Sequence, residues 1–162
     1  MKELITIVTA FYDIGRENWT PENGHPSYLQ RSPETYIERF GHLCTLKNDI
    51  VLFTSKEFVE RLREVTRGRT GKTTIIELDV FESFKEELSV IRKIHGSDEY
   101  RNMVSSSEIK NPEYWSSEYV LVTNLKPYFL HVAAENGNID TEMVSWVDFG
   151  YCRTPDILPV SR

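Results

Sequence analysis

Two short runs, ELITIVTAF at residues 3–11 and IVLFT at 50–54, are apolar or β-branched almost without interruption, and that continuity constrains the fold more than any other feature of the 162 residues. A strand with one wet face alternates apolar and polar side chains, whereas a strand covered on both faces does not. Covering both faces of a sheet takes helices, and each run is followed by a segment with helical periodicity. The pattern therefore predicts a mostly parallel sheet with helices on either side, an α/β fold built from βα units.

Ser32-Pro33-Glu34 reads as an N-cap, a proline at the first helical position and an acid that complements the helix dipole. The helix it opens carries Tyr36, Ile37, Phe40, Leu43 and Cys44 on one stripe. Ile50 to Thr54 forms a second buried strand, and Ser55 is placed to cap a helix holding Phe58, Val59, Leu62 and Val65. Residues 73–80, TTIIELDV, are a third strand candidate. Residues 81–95 then predict a helix with Phe81, Phe84, Leu88, Ile91 and Ile94 inward, closed by Gly96. Ser97 to Pro112 is polar and reads as irregular or weakly helical. From Glu113 to Asn136 apolar residues recur at helical spacing, with Pro127 marking a kink or a break into two helices and Gly137 ending the segment. Thr141 to Asp148 makes a fourth strand, and the tail TPDILPVSR shows no clear element. Between strand one and the first helix lies a long polar loop from Tyr12 to Arg31, for which a ligand loop and a plain surface excursion both fit.

Length and composition fit one domain, residues 1–162, large enough to bury a core without disulfides. A formal net charge of −6 argues against nucleic acid as the main partner, because phosphate backbones are bound by basic faces. Cys44 and Cys152 are far apart and in no metal or redox spacing, which fits reduced thiols in the cytoplasm. The N-terminus lacks a signal-peptide cleavage pattern, and no run of about 18 apolar residues suggests a transmembrane span. Peripheral membrane association stays open.

Gly68-Arg69-Thr70-Gly71-Lys72-Thr73 imitates a phosphate-binding loop, but its spacing is two residues short of GxxxxGK[ST]. It also follows a helix and enters a strand, the reverse of the order such a loop needs. It reads as a basic turn. Lys56, Arg61, Arg63, Arg67, Arg69 and Lys72 alternate with Glu57, Glu60 and Glu64 as on a solvated helix face. His25, His42, His95 and His131 show no zinc spacing and are expected at the surface or at helix ends, and no GxSxG elbow is present. What stands out is Trp146-Val147-Asp148-Phe149-Gly150-Tyr151, an apolar strand that ends in one acid and a turn. In a parallel sheet the C-terminal rim is where ligands bind, which gathers Thr9 to Tyr12, Thr54, Asp79 and Asp148. An acid there can also serve only its own turn.

Taken together, TIVTAFYDIGR, NDIVLFTS, NPEYWSSEYVLVTNLKPYFLHVA and WVDFGYCR resemble the HtrL/YibB-like family of bacterial proteins, in matching order over nearly the whole chain. That family is associated with lipopolysaccharide or other surface-glycan gene clusters and resembles glycosyltransferases of the GT-A fold. The resemblance implies a glycosyltransferase in bacterial surface glycan biosynthesis, with a nucleotide sugar as donor and a glycan or lipid-linked acceptor. It implies that Asp148 stands in the DxD position and holds Mn²⁺ or Mg²⁺ against the donor diphosphate, helped by Arg153 or Lys126. Thr9, Ala10, Phe11 and Tyr12 would line the nucleoside pocket, with Tyr12 or Phe11 stacking on the base. The second acid of DxD would fall at Gly150, where this chain departs from the pattern. GT-A-like members continue past this motif with an acceptor-binding half, so the chain is expected to be a truncated or naturally short member matching the N-terminal half. A non-catalytic nucleotide-sugar-binding or assembly module and a metal-dependent phosphoryl-transfer or hydrolase enzyme are the alternatives.

Overall fold

A computed structural model describes residues 5–158, so residues 3–4 of the first predicted strand and the end of the tail lie outside the described residues. The fold is α/β, with one four-stranded sheet, all parallel, in the order β3-β2-β1-β4. The strands are β1 (Ile5–Phe11), β2 (Ile50–Thr54), β3 (Thr73–Glu77) and β4 (Met143–Trp146). In-register parallel pairing sets Ile7 beside Ile50, Ile50 beside Thr73 and Ile7 beside Ser145. The helices are α1 (Pro33–Leu43), α2 (Lys56–Thr66), α3 (Val80–Ser83), α4 (Lys85–Gly96), α5 (Asp98–Met103), α6 (Ser117–Asn124) and α7 (Lys126–Glu135). Among the described residues, no helix is long and apolar enough to cross a membrane.

The chain divides into two compact units. The first comprises the segment through Tyr12, Ser32–Leu78 and the chain from Lys126 onward, and it contains the whole sheet with α1, α2 and α7. Strand alternation sorts its side chains. Ile7, Phe11, Ile50 and Leu52 join Ile37, Phe40, Leu43 and Leu62 of α1 and α2 in a buried cluster that also takes in Phe149 and Cys152. On the opposite face Phe129 of α7, fully buried, stacks with Tyr12 and Trp146 and meets Phe53 at a tilt. Every residue of β2 is buried, as expected for a strand with helices above and below. Ser32 caps α1 by accepting from the Thr35 amide, whereas Ser55 holds the N-cap place of α2 without a side-chain bond.

The basic turn is a clasp. Arg69, read from the sequence as part of a solvated face, is half-buried and donates from Nε to the Cys44 carbonyl and from Nη2 to those of Leu46 and Asn48. It thus satisfies carbonyls left over where α1 ends. Gly71 is needed beside it, because a Cβ there would lie 2.4 Å from the carbonyl oxygens of Lys47 and Asn48. The Lys72 amide donates to Asp49.

The second unit comprises Asp13–Arg31 and Asp79–Leu125. Its long loop is ordered into three 3₁₀ turns, with Trp19 and Leu29 buried and Arg16 donating to the Leu29 carbonyl. Trp115 meets Trp19 edge-on and stacks with His25. Several expectations are corrected here. Strand three stops at Glu77, because Asp79 accepts from the Phe81 and Glu82 amides and caps a helix instead of ending a strand on the rim. The helix predicted over 81–95 is two, broken at Phe84, whose backbone leaves helical geometry. Of its five expected inward residues only Leu88 is buried, and Ile94 is exposed. Gly96 is still helical, whereas the stretch read as irregular or weakly helical does carry a short helix, α5, capped by Ser97. The helical segment over 113–136 does break into two, at Leu125. His95 bridges the end of α4 to α6. Its Nε2 donates to the Glu113 carbonyl at 3.1 Å, and its Nδ1 lies 3.0 Å from the Ser117 hydroxyl.

Candidate functional site

Strand order fixes where a ligand site can form in the first unit. From β1 the chain steps to β2 and β3 on one side, then returns past β1 to lay down β4 on the other. The C-terminal ends of β1 and β4 therefore flank the reversal in strand order, the place where open α/β sheets leave a crevice. Residues at those two ends are Ala10, Phe11 and Tyr12 on one strand and Trp146, Val147 and Asp148 on the other.

The fourth strand is shorter and wetter than its sequence suggests. It ends at Trp146, two residues before the acid, although the Val147 amide still donates to the Val8 carbonyl. Met143, Val144 and Ser145 are exposed, and Asp148 is exposed too, so this is not the buried strand expected from its apolar run. The turn behind it is closed by the Tyr151 amide on the Asp148 carbonyl. Gly150 does not open space in front of the acid. A Cβ there would come within 2.8 Å of the Tyr36 ring, so the glycine lets the turn press onto α1 while Phe149 stacks between Phe11 and Phe40. A second acid at this position would collide with Tyr36.

Asp148 itself is held from two directions. Its Oδ1 lies 2.7 Å from the Lys126 ammonium, at the start of α7, and 2.7 Å from Nε1 of Trp146. The indole is stacked on Phe129, and Lys126 Nζ sits 5.7 Å from its ring centre. Desolvation works to raise the carboxyl pKa, but the hydrogen bonds from Lys126 and Trp146 and the lysine charge outweigh it and hold Asp148 below the usual carboxylate range. The carboxylate is thus ionised and fixed in orientation. Trp146, read from the sequence only as a strand residue, is the side chain that orients Asp148. Its signal was present, since residues two apart on a strand share a face.

The residues expected to line a nucleoside pocket divide between the two faces of the sheet. Thr9 and Phe11 point to the α1 and α2 side. Thr9 is fully buried, and Phe11 is packed among Tyr36, Phe58 and Phe149. Ala10 and Tyr12 share the face of Trp146 and Lys126, with Tyr12 buried against Phe129 and Ala10 partly exposed. Arg153 follows the turn and is exposed.

For a divalent cation, the donor chemistry is that of one carboxylate. Both contacts of Asp148 use Oδ1, and Oδ2 takes part in neither. Among the described residues there is no group of three or more His, Cys, Asp or Glu that could enclose an ion. A single carboxylate oxygen fits Mg²⁺ or Mn²⁺ that draws its remaining ligands from phosphate and water, and it does not fit an all-protein cage.

A family model described as "Bacterial protein of unknown function (HtrL_YibB)" matches residues 3–161. Protein HtrL of Escherichia coli (strain K12) is 41% identical over 157 residues, which is 97% of this chain and 54% of that protein. The chain thus spans about half the length of this relative. No solved structure matches the chain.

Proposed function

The chain belongs to the HtrL/YibB family, and on that premise we propose that it is the nucleotide-sugar-binding part of a glycosyltransferase that works on bacterial surface glycans. The observation that carries this reading is the Lys126–Trp146–Asp148 cluster at the mouth of β4, beside the reversal in strand order. A donor would lie across the ends of β1 and β4, against Ala10 and Tyr12, with its diphosphate toward Lys126 and Asp148. Arg153 is a further cation for the phosphates. On this reading the protein would work in the cytoplasm, where nucleotide sugars are made, and its acceptor would be a glycan or a lipid-linked glycan.

In such a transfer the acceptor hydroxyl oxygen bonds to the anomeric carbon while the carbon–oxygen bond to the diphosphate breaks, and the hydroxyl gives up its proton. Negative charge grows on the departing nucleoside diphosphate. The Lys126 ammonium supplies positive charge there, in a geometry fixed in advance by its bond to Asp148. A divalent cation held by Asp148 would neutralise the same phosphates. Trp146 keeps the carboxylate from rotating.

Titration calorimetry of a nucleoside diphosphate with Mn²⁺, on wild type and Asp148→Asn, tests the reading. Asparagine keeps the shape and an oxygen acceptor but loses the charge a hard cation needs. The expected result is about a tenfold or greater loss of metal-linked affinity, with melting temperatures that agree within about 2 °C because the side chain is largely exposed. Equal affinity in the two proteins, or no metal dependence in wild type, removes Asp148 from the site.

A further inference from the structure

We propose that Tyr151 is the ring on which the base of a nucleotide donor stacks, presented by the same turn that carries Asp148. The inference rests on the donor reading above and adds to it the residue that holds the nucleoside. Base recognition of this kind needs an accessible aromatic face, because stacking works through the flat of the ring. The two rings expected for that task are enclosed. Phe11 is 5% exposed among Tyr36, Phe58 and Phe149, and Tyr12 is 6% exposed and stacked on Phe129. Trp146 is half-buried, stacked on Phe129 and bonded through Nε1 to Asp148. Tyr151, by contrast, is 58% exposed.

The turn presents that ring from a pinned backbone. The Tyr151 amide donates to the Asp148 carbonyl at 2.9 Å, and the Arg153 amide donates to the Tyr151 carbonyl at 2.9 Å. Before Tyr151, Phe149 is stacked between Phe11 and Phe40, and after it Cys152 is fully buried in the same core cluster. Gly150 packs directly against the Tyr36 ring. With Phe149 and Cys152 anchored inward, Asp148, Tyr151 and Arg153 are left exposed. A carboxylate, a phenol ring and a guanidinium therefore share the stretch 148–153. These are the groups that a cation-bound diphosphate joined to a flat base calls for. A tyrosine also loses little freedom on binding, since few side-chain torsions have to be fixed.

Titration calorimetry with Mn²⁺ compares a panel of ribonucleoside diphosphates with inorganic pyrophosphate, which has the phosphates and no base. Tyr151→Ala should weaken the best-bound nucleoside diphosphate about tenfold, while pyrophosphate affinity stays within about twofold of wild type. Tyr151→Phe keeps the ring and should bind the nucleoside diphosphate within about twofold of wild type. The position is exposed, so both variants should melt with wild type, which a thermal scan checks. An equal loss for pyrophosphate overturns the proposal, because the side chain would then shape the turn and not meet the base. A loss in Tyr151→Phe as large as in Tyr151→Ala overturns it too, by placing the contact on the hydroxyl. Wild type that binds no nucleoside diphosphate ends the donor reading and this one together. Wild-type binding that Tyr151→Ala leaves intact ends this one alone.

Discussion

Thr9 lies within β1, fully buried, and its hydroxyl has no hydrogen-bond partner among the described residues, while its neighbours Thr6 and Thr54 reach the Thr141 hydroxyl and the Phe11 carbonyl. An enclosed unpaired hydroxyl costs about 1–3 kcal/mol of desolvation, so removing it should help. Thr9→Val is expected to raise the melting temperature by about 2–4 °C, for a gain of about 1 kcal/mol, and to leave donor affinity unchanged. If Thr9 touches the nucleoside, calorimetry will show weakened binding instead. Cys44 gives a pH-dependent counterpart. Burial pushes its thiol up from 9.0 to about 11, against the opposing pull of the Arg69 charge. A pKa raised on folding means the contribution is complete below about 9 and is lost as pH climbs through 11, since only the unfolded chain ionises readily in that interval. Urea midpoints measured from pH 8 to 11 should therefore fall more steeply for wild type than for Cys44→Ala. Parallel slopes would show that the thiol is not shielded. At this scale the sequence marks the kinds of residue well and their partners poorly. Asp148 and Lys126 were both singled out, but the bond between them depends on where α7 begins relative to β4, which no local pattern encodes.

Elements whose residues all tell one story were legible, and those whose residues compete were not. In β1, β2, α1 and α2 the propensity, the apolar spacing and the caps agree, and these form the buried cluster of the first unit. Over residues 73–96 they disagree: TTIIELDV continues as a strand by composition, yet Asp79 gains two amide donors by capping, and Phe84 breaks a stripe that periodicity alone joins. The fourth strand misled for a different reason. Apolar character records what a strand would bury, not whether anything covers it. The Arg69–Gly71 clasp is the sharpest case of a motif whose meaning is structural. Gly71→Ala forces a methyl against two backbone carbonyls that cannot step aside without moving the end of α1, so it should destabilise by about 2–3 kcal/mol. Chemical denaturation measures it, with Gly68→Ala as a poor control because of that residue's positive φ and Gly41→Ala, which meets open space, as a sound one. A Gly71→Ala protein as stable as wild type would mean that the turn is looser than this packing requires. Nucleotide affinity of the folded variant should be unaltered, since the Arg69 guanidinium in this turn is engaged by backbone carbonyls.

At the level of the whole molecule, the proposed reading raises the question of which part of a glycosyl transfer 162 residues could perform. Transfer needs a donor site and an acceptor site that present their reacting atoms to each other, and holding the two in line supplies much of the rate. The proposed donor cluster uses residues at the ends of β1 and β4 together with the first residue of α7, all inside one compact unit. The start of β4 is open to solvent, with Met143 and Val144 exposed, while α7 covers Trp146 at its end. The chain also carries a net charge of −6, so an anionic donor must be drawn in by local cations and not by the overall field. Donor binding without transfer is therefore the expected behaviour of the purified chain. Its donor affinity should fall on Lys126→Ala, by roughly the tenfold that one charge-assisted contact of about 1.5 kcal/mol represents. Addition of the polypeptide that completes the relative's length should convert binding into transfer, detected as release of nucleoside diphosphate that depends on acceptor. Acceptor-dependent turnover by the 162-residue chain alone would show that both sites are already present, and would move the acceptor site onto residues assigned here to packing.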